Sequence, residues 1–348
     1  MPFALLSVSN KDGIDRLGRG LVDAGYTLLS TGGTRRALEA AGLPVTGVNE
    51  HTGAPERMNG RVKTLHPVIH AGILGDRERH AAEAAEAGIP WIDLVAVNLY
   101  PFDQTVASGA DDATVLENID IGGPTMLRAA AKNHPHVLVL TDPADYDRVV
   151  EAVRSGVVTP ELRRQLAARA FRHTARYDAA IAAWFAADDL PEEGALPLRK
   201  VADCRYGENP HQRAAFYADA HPRGRSLARI TQHQGGPLSF NNLGDLDGAV
   251  RSVFEHDTPA CVVVKHMNPC GAATAPALDE AFRQALAGDP VSAYGGIVAF
   301  NRPVTGEVVA TLRGSRTFFE VLAAPGFTAD ALEKLAGRKK LRVVELPA

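Results

Sequence analysis

Phe3-Ala-Leu-Leu-Ser-Val8, followed by Ser9-Asn10-Lys11-Asp12-Gly13 and then residues 14–24, sets an apolar run, a polar turn and a helical period side by side. The six residues from Phe3 read as a buried strand. Leu17 and Leu21 stand four apart, the helical spacing, and Gly25 ends the pattern. The unit then recurs. Residues 26–29 read as a strand, Ser30-Thr31-Gly32-Gly33-Thr34 as a turn, 35–41 as a helix stopped by Gly42, and 43–48 as a third strand. Strands and helices in alternation predict a parallel α/β sheet.

Downstream the alternation continues. Residues 70–74 are short and apolar, 77–87 helical and charged, 94–97 a buried strand, 125–132 a helix and 136–140 another strand. Pro160 opens a long helix to about Ala187, with Leu162, Leu166, Ala170, Tyr177, Ile181 and Trp184 near one face. Two prolines and several charges in residues 188–200 predict a linker. The expected domains are therefore 1–190 and 191–348. The second domain repeats α/β character, with strands at 261–264 and 296–300 around a helix at 278–286.

Composition narrows the partners. The chain has 348 residues, 45% hydrophobic and 22% charged, which suits two folded domains and excludes a disordered chain. A net charge of −4 argues against nucleic acid as the main partner, yet leaves room for a local basic pocket. Cys204, Cys261 and Cys270 are too few for a disulfide framework, and a reducing cytoplasm is the expected home. No signal peptide and no membrane span is predicted.

Four polar clusters each follow a strand or open a helix. The glycines of 30–34 let backbone N–H groups approach an anion, and the helix start adds favourable partial charge. Ser9 and Lys11 lie at another strand end and would complete the cradle. An ordinary glycine turn with a hydroxyl N-cap fits those five residues as well. Arg61-Val62-Lys63-Thr64-Leu65-His66-Pro67 packs two fixed cations, a hydroxyl and an imidazole into a loop that Pro67 keeps from being helical at His66. If extended, it points Arg61 and Lys63 to one side, toward an anionic substrate with a carbonyl to polarise. A solvated basic loop is the plain alternative. Tyr100 ends the most hydrophobic strand of the first half and either offers its hydroxyl to a substrate or packs on Pro101. Asp120 precedes Gly122 and Gly123, so its carboxylate and their N–H groups are expected to face one cavity. Lys132 closes that helix, where a cation also complements the dipole.

The runs SVSNK (7–11), STGGT (30–34), GRVKTLHPVIHAGIL (60–74), NLYPF (98–102), IDIGGPTMLRAAAKNH (119–134), RYGENPHQ (205–212), KHMNPCGAA (265–273) and SAYGGIVAFN (292–301) occur in this order. Together they resemble the bifunctional purine-biosynthesis family that combines AICAR transformylase with IMP cyclohydrolase, over essentially the whole chain. The resemblance implies an α/β fold: a methylglyoxal-synthase-like parallel-sheet domain followed by one cytidine-deaminase-like α/β subdomain. It implies that the first domain closes 5-formamidoimidazole-4-carboxamide ribotide (FAICAR) to IMP with loss of water and no cofactor. Ser9, Lys11, Thr31, Gly33 and Thr34 would hold the phosphate, with Arg61 near it and Thr64 among the substrate contacts. Lys63 and Tyr100 would contact the formyl oxygen, Asp120 would accept from the carboxamide beside Gly122, and Lys132 would complete the polar wall.

For the second domain the resemblance implies formyl transfer from 10-formyltetrahydrofolate, a co-substrate, to the amine of AICAR. Arg205, Tyr206, His211 and Asn242 would surround AICAR. Lys265 and His266 would be the catalytic pair, His266 taking the amine proton, a role suited to imidazole near neutral pH. A deaminase-like zinc site needs HxE and PCxxC ligands. Pro269-Cys270 is followed by Gly271-Ala272-Ala273, so no metal is expected. Family chains continue beyond the point where this one stops, with a further subdomain that supplies folate and phosphate contacts. Transfer by this chain alone is therefore expected to be impaired, and the apolar stretch 318–325 to be left uncovered. A homodimer is expected, and a separate chain carrying the remainder is a second possible partner. A nucleotide-binding regulatory module, or a subunit completing a partner's transformylase site, is the alternative function.

Overall fold

The computed structural model describes residues 1–186, 191–219 and 224–347. Two compact units divide the chain, Met1–Pro197 and Leu198–Ala348. Of the expected linker, 188–190 lie outside the described residues, as does the expected helix end at Ala187; residues 191–197 hold no regular element.

In the first unit β1 (Phe3–Val8), α1 (Ile14–Asp23), β2 (Thr27–Ser30), α2 (Gly32–Ala40), β3 (Val45–Gly47) and α3 (Val48–Thr52) follow in the predicted alternation. Next come α4 (Pro67–Leu74), α5 (Ala81–Glu86), β4 (Ile92–Asn98), α6 (Phe102–Ala107), α7 (Asp112–Glu117), α8 (Gly122–Lys132), β5 (Leu138–Leu140), α9 (Tyr146–Arg154) and α10 (Pro160–Phe185). The sheet order is β3-β2-β1-β4-β5, and every pairing is parallel. Central β1 and β4 are apolar on both faces because helices cover both, so Leu5, Leu6, Leu94 and Val95 are fully buried. Each such side chain contributes about 2 kcal/mol of transfer free energy. Thr159 accepts a hydrogen bond from Leu162 N at 3.2 Å and Pro160 occupies the first turn, which starts α10 where the sequence placed it.

Both glycine pairs belong to helices, not to turns. α2 starts at Gly32 and α8 at Gly122, three residues ahead of the sequence-predicted starts at 35 and 125. In a parallel sheet these helix starts lie at the C-terminal strand ends, where ligands gather.

The second unit has a separate hairpin, β6 (Leu198–Cys204) and β7 (Ala214–Asp219), and a six-stranded mixed sheet. The latter is built from β8 (Thr231–Gln234), α11 (Phe240–Val253), β9 (Ala260–Lys265), β10 (Asn268–Thr274), α12 (Leu278–Gly288), β11 (Ile297–Phe300), α13 (Gly306–Gly314), β12 (Val321–Ala324), α14 (Ala329–Leu335) and β13 (Arg342–Glu345), in the order β10-β9-β11-β12-β13-β8. The expectation of an uncovered 318–325 stretch fails: β12 is an interior strand, its four residues are buried, and Phe319 is buried beside Phe282. Phe318 alone of that aromatic pair reaches solvent. Among the described residues no helix is long and apolar enough to cross a membrane.

One glycine of the second unit is required by space alone. A β-carbon at Gly271 in β10 would meet the Ala285 carbonyl oxygen of α12 at 1.8 Å and its carbon at 2.8 Å. Backbone cannot step aside as a side chain can. Gly271→Ala is expected to cost about 3 kcal/mol or more by overpacking. Chemical denaturation checks this; an unchanged midpoint would mean that α12 rides freely over the sheet.

Candidate active site

The candidate anion corner is assembled from β1, β2 and α2. Thr31 precedes α2 without capping it by its side chain, so the N–H groups of the first turn keep the unpaired state of any helix start. Gly32 adopts φ +48°, which disfavours a side chain, and a β-carbon there would lie 3.6 Å from Lys63 Nζ. One at Gly33 would lie 3.3 Å from Lys11 Cε. Two ammonium-bearing chains therefore close over a bare helix start, an arrangement suited to a phosphate. Lys11 Nζ donates to the Val8 and Ser9 carbonyls at 3.1 Å each, which holds it at the rim. Ser9 is half-buried, and its hydroxyl has no hydrogen-bond partner among the described residues.

Thr34 corrects one expectation. Its buried hydroxyl accepts from Val8 N at 3.0 Å and donates to Val8 O at 3.0 Å, stitching α2 to β1. That hydroxyl is committed, and Thr34 can offer an anion only its main-chain N–H.

Asn98 was not singled out from the sequence, yet it shapes this corner. Its Oδ1 accepts from Ser9 N at 2.6 Å and Asn10 N at 2.9 Å, and its Nδ2 donates to Asn10 O at 2.9 Å. A polar residue directly after the buried apolar run Leu94–Val97 was the available signal. Asn98→Ala would strip Asn10 N of its acceptor and leave Ser9 N only the main-chain carbonyl of residue 98 at 3.4 Å, and an unsatisfied buried group costs about 1–3 kcal/mol. The expected result is roughly 2 kcal/mol of lost stability in urea, with tenfold weaker binding of a nucleoside monophosphate by calorimetry. Unchanged affinity would detach Asn98 from the corner.

The second wall comes from the α8 start. Asp120 Oδ1 accepts from Gly123 N at 2.8 Å, so that N–H is taken by Asp120 and does not face the cavity independently, contrary to the sequence reading. Burial pushes the Asp120 carboxyl above the usual carboxylate range, while the Gly123 N–H and the Lys63 charge pull it back. Burial also raises the Tyr100 phenol, and the Asp120 charge adds to that rise. Thr64 is buried, and its Oγ1 lies 2.7 Å from where a β-carbon of Gly122 would be. Lys63, Thr64, Tyr100, Asp120 and Gly122 thus share one neighbourhood, and Lys63 joins it to the α2 start. Tyr177 of α10 braces it from behind: its hydroxyl accepts from Asp120 N at 2.8 Å and donates to Asn118 O at 3.2 Å. The sequence marked Tyr177 only as a helix-face residue.

Two predicted members stand apart. Lys132 is exposed at the far end of α8, and at 1.5 Å per residue the helix sets it roughly 15 Å from Asp120. Arg61 has helical backbone angles, φ −63° and ψ −31°, so it does not run extended beside Lys63, and its guanidinium pairs with Glu117 of α7.

Two family models match the chain, and their boundary lies inside the first unit. The MGS-like domain model matches residues 13–125, and the AICARFT/IMPCHase bienzyme model matches residues 130–348. The chain belongs to the AICARFT/IMPCHase bienzyme family. Among its relatives, the bifunctional purine biosynthesis protein PurH of Halalkalibacterium halodurans is 50% identical over 99% of this chain and 68% of its own length. PurH of Oceanobacillus iheyensis is 49% identical, with the same two shares. A solved structure titled "Crystal structure of ForH" is 41% identical over 53% of this chain and 98% of its own, at a TM-score of 0.48, too low to bear on the fold.

In the second unit of this bienzyme-family chain, β9 and β10 form a hairpin whose Lys265 and Asn268 are paired across a two-residue turn. His266 and Met267 fill that turn at φ +56° and +61°. Hairpins of this kind normally place Asn or Gly there, so both residues sit in a conformation that costs free energy. Lys265 Nζ donates to Tyr294 O at 2.8 Å, and Met267 N donates to Asp245 Oδ1 at 2.7 Å. Lys265 and His266 line a cavity of about 300 Å³ with Asn268, Pro269, Cys270, Asp289 and Ser292.

Arg205, Tyr206 and His211 lie in the loop joining β6 to β7, with the Arg205 guanidinium 5.8 Å from the Tyr206 ring centroid. Among the described residues no hydrogen bond or ring contact links that loop to the His266 turn. Asn242 departs from its expected role. It is buried in a capping box with Ser239, and its Nδ2 donates to Glu320 Oε2 at 2.8 Å, so its amide is committed inside the unit. Among the described residues no cluster of three or more His, Cys, Asp or Glu is arranged to hold a metal ion.

Proposed function

We propose that the first unit is an IMP cyclohydrolase that closes FAICAR to IMP. The carboxamide nitrogen attacks the formyl carbon of the same molecule, so proximity is already supplied by the substrate. A C–N bond forms and charge develops on the formyl oxygen; the C–O bond then breaks as the ring C=N bond forms, and the oxygen departs as water with one proton from the carboxamide nitrogen and the other from the formamido N–H. Lys63 and the Tyr100 hydroxyl donate to the oxygen as its charge builds. Asp120 takes the proton from the carboxamide nitrogen, a task helped by a carboxyl lifted toward neutrality. The α2 start, Lys11 and Ser9 hold the phosphate. The observation that carries this reading is Lys63, which lies beside the Gly32 helix start and within the electrostatic reach of Asp120. A phosphate sensor would need only the first of these.

In this reading the second unit carries the formyl-transfer residues: His266 accepts the AICAR amine proton and Lys265 steadies developing charge, with 10-formyltetrahydrofolate as donor. Arg205, Tyr206 and His211 contribute to the AICAR side. Residues 1–348 correspond to 68% of the H. halodurans relative, so transfer by this stretch alone is expected to be weak. The reading implies a cytoplasmic enzyme and a homodimer. The deciding experiment gives the purified chain FAICAR alone, then AICAR with 10-formyltetrahydrofolate, and follows IMP by absorbance. Ring closure in the first assay supports the reading; none, under conditions where the chain is folded, would refute it.

A further inference from the structure

We propose that Tyr177 is a positioning residue, which holds the Asp120 carboxylate and the Tyr100 hydroxyl in register for ring closure; this rests on the cyclohydrolase reading. Tyr177 reaches the site from the middle of α10, far along the chain from both groups. Its side chain is buried, and its hydroxyl uses both of its hydrogen-bonding roles on the segment leading to Asp120. One of those bonds ends on the main-chain N–H of Asp120 itself. The carboxylate three bonds further on is fixed at its other end by Gly123 N. Asp120 is thus gripped from both sides, and only one of the grips belongs to its own helix.

The ring of the same tyrosine faces the other wall. It meets Phe102 edge-on, with centroids 6.1 Å apart and planes at 72°, and Trp184 meets Phe102 likewise at 6.1 Å and 85°. Phe102 is fully buried, and its N–H donates to the Tyr100 carbonyl at 2.8 Å. The neighbouring Arg176 pairs with Asp103 at 2.6 Å, which clamps α10 to α6 at this level. One side chain therefore connects the base-bearing loop with the phenol-bearing loop. Burial pushes the Tyr177 phenol up to about 12, so it stays a neutral donor across the working pH range. Phenylalanine would fill the same space but leave the Asp120 N–H and Asn118 carbonyl without this partner. Misplacement of a reacting group by about 1 Å costs on the order of 10²-fold in rate.

The test uses the full chain with Tyr177→Phe. Ring closure of FAICAR should show kcat lowered roughly 10- to 100-fold with KM within twofold, and the Asp120 amide should exchange with solvent at least tenfold faster by NMR. Leu166→Val, a mild core change elsewhere on α10, should lower the melting temperature while leaving kcat within twofold. Unchanged Asp120 exchange in Tyr177→Phe overturns the proposal whatever the rates. So does faster exchange with unchanged kcat, or a kcat loss that Leu166→Val reproduces. A wild-type chain that does not close FAICAR is a different failure, that of the cyclohydrolase reading, and the proposal falls with it.

Discussion

Lys63→Ala should lower kcat for FAICAR ring closure by roughly 10³-fold while the chain keeps its fold. Loss of one donor to a developing oxyanion costs on the order of 10²–10³ in kcat, and here the donor carries a full charge. Lys63 makes no hydrogen bond to protein among the described residues, so its removal orphans no partner. The melting temperature should accordingly move by no more than a few degrees. A second consequence separates Lys63 from a mere phosphate ligand. Its charge lowers the Asp120 carboxyl against the upward push of burial. With that charge gone, the Asp120 carboxyl climbs further, and the acid limb of the residual kcat profile shifts to higher pH. A phosphate ligand would instead raise KM at constant kcat. Steady-state rates from pH 5 to 9 distinguish the two, and a variant with wild-type kcat would remove Lys63 from the chemistry.

The parts of this site that were legible in the sequence are those that local chemistry dictates. The alternation from Phe3 to Gly47 is anchored by β1, which burial on both sheet faces leaves almost wholly apolar. Tyr100 sits just after such a run, at the end of β4, while Lys63 and Asp120 stand in polar segments that face helix starts. The glycine pairs misled because glycine marks turns in sequence, yet at Gly32 and Gly122 it opens helices whose first N–H groups need an uncrowded approach. Lys132 was legible as the end of a helix, and it does close α8; its place in the polar wall came from the resemblance alone. The hydrogen bonds of Asn98, Tyr177 and the Asn242 amide were not legible, whatever the sequence said of their place in an element. Each is defined by partners remote in the chain, 57 residues in the case of the Tyr177 bond to Asp120. Thr34 belongs with them, since nothing local says that its hydroxyl is spent on Val8.

Asp120→Asn should reduce kcat by about 10²- to 10⁴-fold, the usual contribution of a positioned proton acceptor. Asparagine keeps an oxygen for the Gly123 N–H, so the helix start survives and only the basicity goes. The effect on stability has the opposite sign. A carboxyl raised in the folded state above its unfolded value of about 3.9 favours folding when protonated. Its ionisation therefore costs stability as pH rises from that value through the folded one, and at neutral pH the full cost is present. The amide escapes that cost, so at pH 7 the variant should melt at the wild-type temperature or above it. Near pH 3 both forms carry a neutral group there, and the difference should vanish. Wild-type ring closure should fall in acid along a limb displaced upward from the ordinary carboxylate range. Thermal scans at pH 3 and 7, read beside kcat, check both signs at once. Retention of kcat within twofold would show that the carboxamide proton leaves by another route, and a variant markedly less stable at pH 7 than wild type would show that Asp120 is held there for its charge.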